Sequence, residues 1–207
     1  MLQHTSIAKW PEIYATLFSE TSMGFSIRKF INRVEQISYN MKMDEDEKKV
    51  FKGDMLEVLA EIFFDSFPND PHFGIRNYQP VFKGEDYGVD GTGINANDAV
   101  VVMQSKYRNN PLDLVTYTEL SKTFCSGSIE YGLNKNLDSN IFLFTTADDA
   151  NHICKEVFQN RLVIINRSKI AHMIDNNIAF WTGAFDMIKE HIESKSGRSI
   201  NSYISAV

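Results

Sequence analysis

The sequence predicts an α/β fold: a mixed central sheet of about four or five strands flanked by helices, preceded by a helical extension. Three observations carry this. After residue 80, short β-branched and aromatic runs alternate with stretches of helical periodicity. Two of those runs, Ala99 to Met103 and Ile141 to Phe144, are apolar throughout, as expected of strands covered on both faces. Before residue 50 the apolar residues recur only at helical spacing.

Residues 6–20 place Ile7, Trp10, Ile13, Tyr14, Leu17 and Phe18 on one helical face, with Ser6 as cap and Pro11 in the first turns. A second helix spans 25–40 through Phe25, Ile27, Phe30, Ile31, Val34 and Ile37. The charge-rich stretch 41–50 reads as a solvated helix start. A helix follows with Leu56, Leu59, Ala60 and Phe63 as its core stripe, and Glu57 and Glu61 one turn apart beside it. Residues 68–78 are loop by their Pro, Gly and Asn content, and His72 within them has no second histidine at ligand spacing. A helix is expected from about Asp113, as its cap, to Tyr131, burying Leu114, Tyr117, Leu120, Phe124 and Ile129. Residues 140–146 form a strand, Asp148 and Asp149 cap a helix near 149–159, and 162–166 form a further short strand. The last periodic region, 170–192, is helical, broken near Gly183 or at Asn176-Asn177, and a frayed tail follows from Ser194. The organisation expected is a helical extension over 1–50, a core over 51–193 and a tail over 194–207.

With 207 residues and 43% hydrophobic content the chain is long and apolar enough for a proper core. It carries no apolar stretch of the roughly 20 residues a membrane span needs. The start, Met-Leu-Gln-His-Thr-Ser, lacks the pattern of a secretory signal, so a cytoplasmic location is expected. Cys125 and Cys154 have no metal-ligand spacing and read as buried free thiols. A net charge of −6 excludes a general nucleic-acid coat, whose phosphate-binding surface would be basic.

The chemistry concentrates in residues 84–108. Asp90, flanked by glycines, enters a short strand; a polar turn over Asn95 to Asp98 follows; the apolar run then delivers Gln104 and Lys106. Strand alternation puts Gln104 and Lys106 on one face and Met103, Ser105 and Tyr107 on the other. A hairpin across the turn brings Asp90 beside the first two. An acid, an amide oxygen and an ammonium at one spot suit a hydrolytic Mg²⁺ site, which needs hard oxygen ligands and a cation beside the attacking water.

These residues resemble the signature of the PD-(D/E)XK nuclease superfamily, in the Mrr-like restriction endonuclease form where the last acidic residue is often glutamine, here Gln104-Ser105-Lys106. The match is similar also to the endonuclease-like domain of phage, viral and restriction helicases. Trp10-Pro11-Glu12, Lys52-Gly53 with Glu57, Asp86 to Asp90 and Gln104 to Arg108 come in that group's order. The resemblance implies a restriction-endonuclease-like fold and a Mg²⁺-dependent deoxyribonuclease, with Mn²⁺ substituting. It casts Asp90, Gln104 and Glu57 as metal ligands, with Glu61 as the fallback for Glu57 and Asp86 as a further candidate. Lys106 would act on the attacking water or the phosphate charge, and Lys52 and Arg108 would touch DNA. It also implies DNA as partner, a plausible homodimer, and a helicase or other replication or restriction protein as associate. The alternative is a catalytically silent DNA-binding or structural module of the same fold.

Overall fold

The computed structural model of the protein describes residues 2–19, 25–81, 88–136 and 138–204. The chain forms two compact units, Met1–Val58 with Ile170–Val207, and Leu59–Lys169. The division falls inside a helix rather than at residue 50. Residues 170–193, assigned to the core from sequence, cluster with the N-terminal helices.

In the helical unit, α1 (Ser6–Lys9) and α2 (Pro11–Ser19) are separate helices. Proline without its N–H is best tolerated as the first helical residue, so Pro11 opens a new helix instead of riding in an old one. α3 (Ile27–Asn40) starts at Ser26, whose hydroxyl accepts from Lys29 N at 3.2 Å. α4 (Glu45–Ser66) begins in this unit and ends in the other. Aromatic side chains fill the interior: Phe25 meets Trp181 edge-on at 4.6 Å between centroids, and Trp181 Nε1 donates to Ile174 O at 2.7 Å. Such a ring contributes its buried area plus a directional contact of about 0.5–1.5 kcal/mol.

The α/β unit holds a five-stranded sheet in the order β1 (Arg76–Pro80), β2 (Gly91–Ile94), β3 (Val100–Lys106), β4 (Asn140–Thr145), β5 (Leu162–Ile165). β1, β2 and β3 pair antiparallel, whereas β3, β4 and β5 pair parallel. The sheet is therefore mixed, as expected. Asn95 shapes the β2–β3 turn, its Oδ1 accepting from the amides of Asn97 and Ala99 while Asp98 takes φ 57°. β4 is buried on both faces. Ile141 and Leu143 join Val102, Leu120, Cys154 and Phe158 in one core layer. Phe142 and Phe144 meet the end of α4, with Phe63 and Phe144 at 5.3 Å and Phe64 and Phe142 at 6.3 Å.

The parallel crossovers run through α5 (Tyr117–Glu130) and α6 (His152–Phe158). α5 is capped by Thr116 and Glu119 in a reciprocal box, not by Asp113, and Ile129 is 78% exposed rather than in its core face. The helix starts three residues later than expected, and its buried residues are Leu120, Thr123 and Gly127. Of the two cysteines expected to be buried, Cys125 is exposed and Cys154 is buried. Asn151 caps α6, and Asp149 pairs with Lys155 instead.

α7 (Arg167–Ile174) and α8 (Ile178–Ser196) are divided at Asn176, in a left-handed conformation with φ 58°, and Asn177, whose side chain caps α8. Gly183 stays mid-helix. α8 continues past Ser194 to Ser196, where Gly197 caps it with φ 66°, and α9 (Asn201–Ile204) follows with Ile200 only 2% exposed. This stretch packs back on its unit, because Ile200 has an apolar surface to cover, where the sequence suggested fraying.

Candidate functional site

The antiparallel ladder between β2 and β3 ends where Gly91 faces Met103 and the Asp90 amide donates to Met103 O at 2.8 Å. Continuing that register sets Asp90 opposite Gln104. Glycine is required beside it, since a Cβ at residue 91 would stand 2.3 Å from Tyr78 Oη. One rung further, beyond the end of β2 among the described residues, Ser105 N–H donates to Asp90 Oδ2 at 2.6 Å. The carboxylate thus completes the ladder that the backbone leaves unfinished.

Asp90 is 9% exposed, and its Oδ2 also accepts from Gln104 Nε2 at 2.6 Å and Ser105 Oγ at 2.9 Å. Gln104, 4% exposed, turns its other end away: Oε1 accepts from Thr123 Oγ1 of α5 at 2.8 Å. Thr123 Oγ1 also stands 2.6 Å from the carbonyl of Gly88, a residue with φ 90°. The sequence reading aimed the Gln104 oxygen at the metal site and Ser105 at the other face. Here the amide nitrogen faces Asp90, and Ser105 joins the cluster because the carboxylate sits at the strand's end, within reach of both faces.

Lys106 ends β3 two residues beyond Gln104 and is half-buried. Its ammonium has no hydrogen-bond or salt-bridge partner among the described residues. Arg108 is committed, donating to Glu119 Oε1 at 2.5 Å. Burial works against ionisation of Glu119, yet the Thr116 amide, Arg108 and the Thr116 hydroxyl together hold it below the usual carboxylate range. Arg167 donates to the carbonyls of Thr146, Arg108 and Asn109, fastening the loop after β3 to the end of β4. Asp86 lies outside the described residues.

The remaining candidates belong to α4. Lys52 pairs with Glu35 at 2.7 Å in the helical unit. In that unit His4 Nε2 lies 2.8 Å from Glu57 Oε2, and the ligand atoms of His4, Asp54 and Glu57 lie within 4.8 Å of one another. Ser6 N donates to His4 Nδ1, so the ring proton sits on Nε2 and is given to Glu57. Glu61, 5% exposed, falls within the α/β unit, the unit that also holds Asp90, Gln104 and Lys106. Thr123 and Ser105 escaped the sequence reading. The signal for Thr123 was a lone hydroxyl in the apolar stripe of α5, legible only once the helix start is known.

No protein-family model and no curated protein matches the chain. In structure it is similar to the MspJI restriction endonuclease in complex with a 27-mer oligonucleotide, at 18% identity and a TM-score of 0.41, over 83% of this chain and 38% of that one. It is also similar to EndoMS in a dsDNA2 complex, at 15% identity and a TM-score of 0.33, over 53% of this chain and 43% of that one. The chain thus spans less than half the length of either. Among the described residues no helix is long and apolar enough to cross a membrane.

Proposed function

We propose that the chain is a metal-dependent endonuclease that hydrolyses DNA phosphodiester bonds, acting in the cytosol. One observation carries the reading: Asp90 and Gln104 meet at the open end of the β2–β3 ladder, with Lys106 next on the same strand face. The donors fit Mg²⁺ chemically, since a carboxylate and an amide carbonyl are hard oxygen ligands, provided the Gln104 amide reverses. Asp90 and Gln104 would hold the ion, with a carboxylate from α4. Glu61 and Glu57, one turn apart on α4, are the candidates, and Glu57 Oε2 is already engaged by His4 Nε2. When bound, the ion would polarise the phosphodiester and lower the pKa of the attacking water. Lys106 orients that water or stabilises the charge developing on the phosphate. With an amide at 104 the site is one negative charge poorer than with the commoner glutamate, which favours a single ion.

The net charge of −6 and the paired state of Lys52 and Arg108 leave little for phosphate contacts. DNA affinity therefore comes with a partner: a second copy, a helicase, or another replication or restriction protein. The test is plasmid cleavage with Mg²⁺, Mn²⁺ or chelator. Asp90→Ala and Lys106→Ala, folded by circular dichroism, should lose about 10²-fold or more of the activity. Full activity in either removes the assignment.

A second reading, a silent DNA-binding or structural module, is favoured by the three donors already on Asp90 Oδ2. Calorimetry with Mn²⁺ separates the two, because a silent module binds none that Asp90→Asn abolishes.

A further inference from the structure

Counting protons around Gln104 exposes an imbalance. Thr123 Oγ1 lies within hydrogen-bonding distance of two pure acceptors, Gly88 O at 2.6 Å and Gln104 Oε1 at 2.8 Å. A hydroxyl carries one proton. Whichever carbonyl receives it, the other faces an oxygen lone pair at short range; Gln104 Oε1 lies in a buried place, where an unmet acceptor is costly, and Gly88 O in a part-buried one. Reversing the Gln104 amide removes the conflict. Nε2 then donates to Thr123 Oγ1, and Thr123 donates to Gly88 O, so every group in the chain is matched. The same reversal turns Oε1 toward Asp90 Oδ2 and gives up the 3.4 Å contact of Nε2 with Ser105 O; two oxygens facing each other call for a proton or a cation between them, and a divalent ion supplies the latter.

We infer that Thr123 is a positioning residue that selects the Gln104 amide orientation in which the carbonyl oxygen faces Asp90, so that a divalent ion settles the side-chain network rather than disturbing it. The inference rests on the metal-dependent reading above. The cation-free orientation keeps the Gln104–Asp90 bond and leaves Thr123 one proton short; the loaded orientation exchanges that bond for metal ligation and satisfies Thr123. Thr123 therefore contributes about one hydrogen bond to the loaded state that it does not contribute to the free one.

The experiment is Mn²⁺ titration by calorimetry of the full chain in a double-mutant cycle. Thr123→Val, nearly isosteric, should weaken Mn²⁺ binding about 10-fold, the equivalent of one buried hydrogen bond, and Thr123→Ser should stay within about 3-fold of wild type. In a Gln104→Glu background the side chain has two oxygens and nothing to reverse. There Thr123→Val should change Mn²⁺ affinity by less than about 3-fold. Wild-type affinity in folded Thr123→Val, or an equal loss in both backgrounds, overturns the inference and leaves the nuclease reading standing. Absence of Mn²⁺ binding by wild-type protein overturns that reading, and the inference with it.

Discussion

The two units each contain a buried chain of polar side chains ending on a carboxylate, and the chains differ in proton count. In the helical unit, Tyr14 Oη, Ser6 Oγ, His4 and Glu57 follow one another at 2.7, 2.7 and 2.8 Å. With the His4 proton on Nε2, Tyr14 gives to Ser6, Ser6 to His4 and His4 to Glu57, one proton per link. In the α/β unit, Gly88, Thr123, Gln104 and Asp90 are spaced as tightly, at 2.6, 2.8 and 2.6 Å. That chain is one proton short. A balanced network is complete as it stands and rigidifies its unit, whereas an unbalanced one is poised for a second arrangement. Short distances alone do not separate a structural network from a functional one; the balance of donors and acceptors does.

Three measurements sharpen or break this contrast. The largest effect is expected from paired glutamate variants on α4. Glu61→Gln should weaken Mn²⁺ binding by about 10-fold or more and slow cleavage accordingly. Glu57→Gln should leave cleavage within about 3-fold and instead destabilise the protein by about 1–3 kcal/mol, because His4 Nε2 loses its charged acceptor. The reverse pattern would place the helix carboxylate at Glu57. Next, Tyr14→Phe removes the donor that starts the balanced chain. It should cost about 1 kcal/mol in denaturant unfolding with Mn²⁺ affinity unchanged; altered metal affinity would contradict a purely structural role.

The smallest effect is a pH dependence that differs between the units. Burial pushes the His191 imidazole below its ordinary value of 6.5, with its bond to Leu2 O opposing the shift and Lys195 and His4 adding to it. A depressed imidazole stays neutral in the fold while the unfolded chain takes up a proton. Stability is therefore whole above pH 6.5 and declines as pH falls below it. Glu119 is also depressed, from 4.5, but as an acid it contributes stability above that value and loses it as pH falls through the folded pKa. Between pH 7 and 5, amide protection factors, which are corrected for the intrinsic pH dependence of exchange, should fall in the helical unit before the α/β unit, and His191→Gln should flatten the trend. Simultaneous loosening of both units would reject it.

Much of this was legible in the chain itself. The β-branched run 100–102, the turn residues 95–98 and the two-sided apolar strand 141–144 specified the hairpin and the buried centre of a mixed sheet, because alternation and composition are local properties. The meeting of Asp90 with Gln104 also followed from local pairing, since a short hairpin has few possible registers. The start of α5 was legible too, since Thr116-Tyr117-Thr118-Glu119 is a T-x-x-E capping box, a stronger start signal than Asp113 alone. That Thr123 of α5 meets Gln104 of β3, by contrast, was decided by how the helix packs on the sheet. The partners of Lys52 and Arg108 were likewise settled by side chains on other elements. A sequence fixes residue types and periodicity, but which donor meets which acceptor across elements is decided only when packing brings them within about 3 Å.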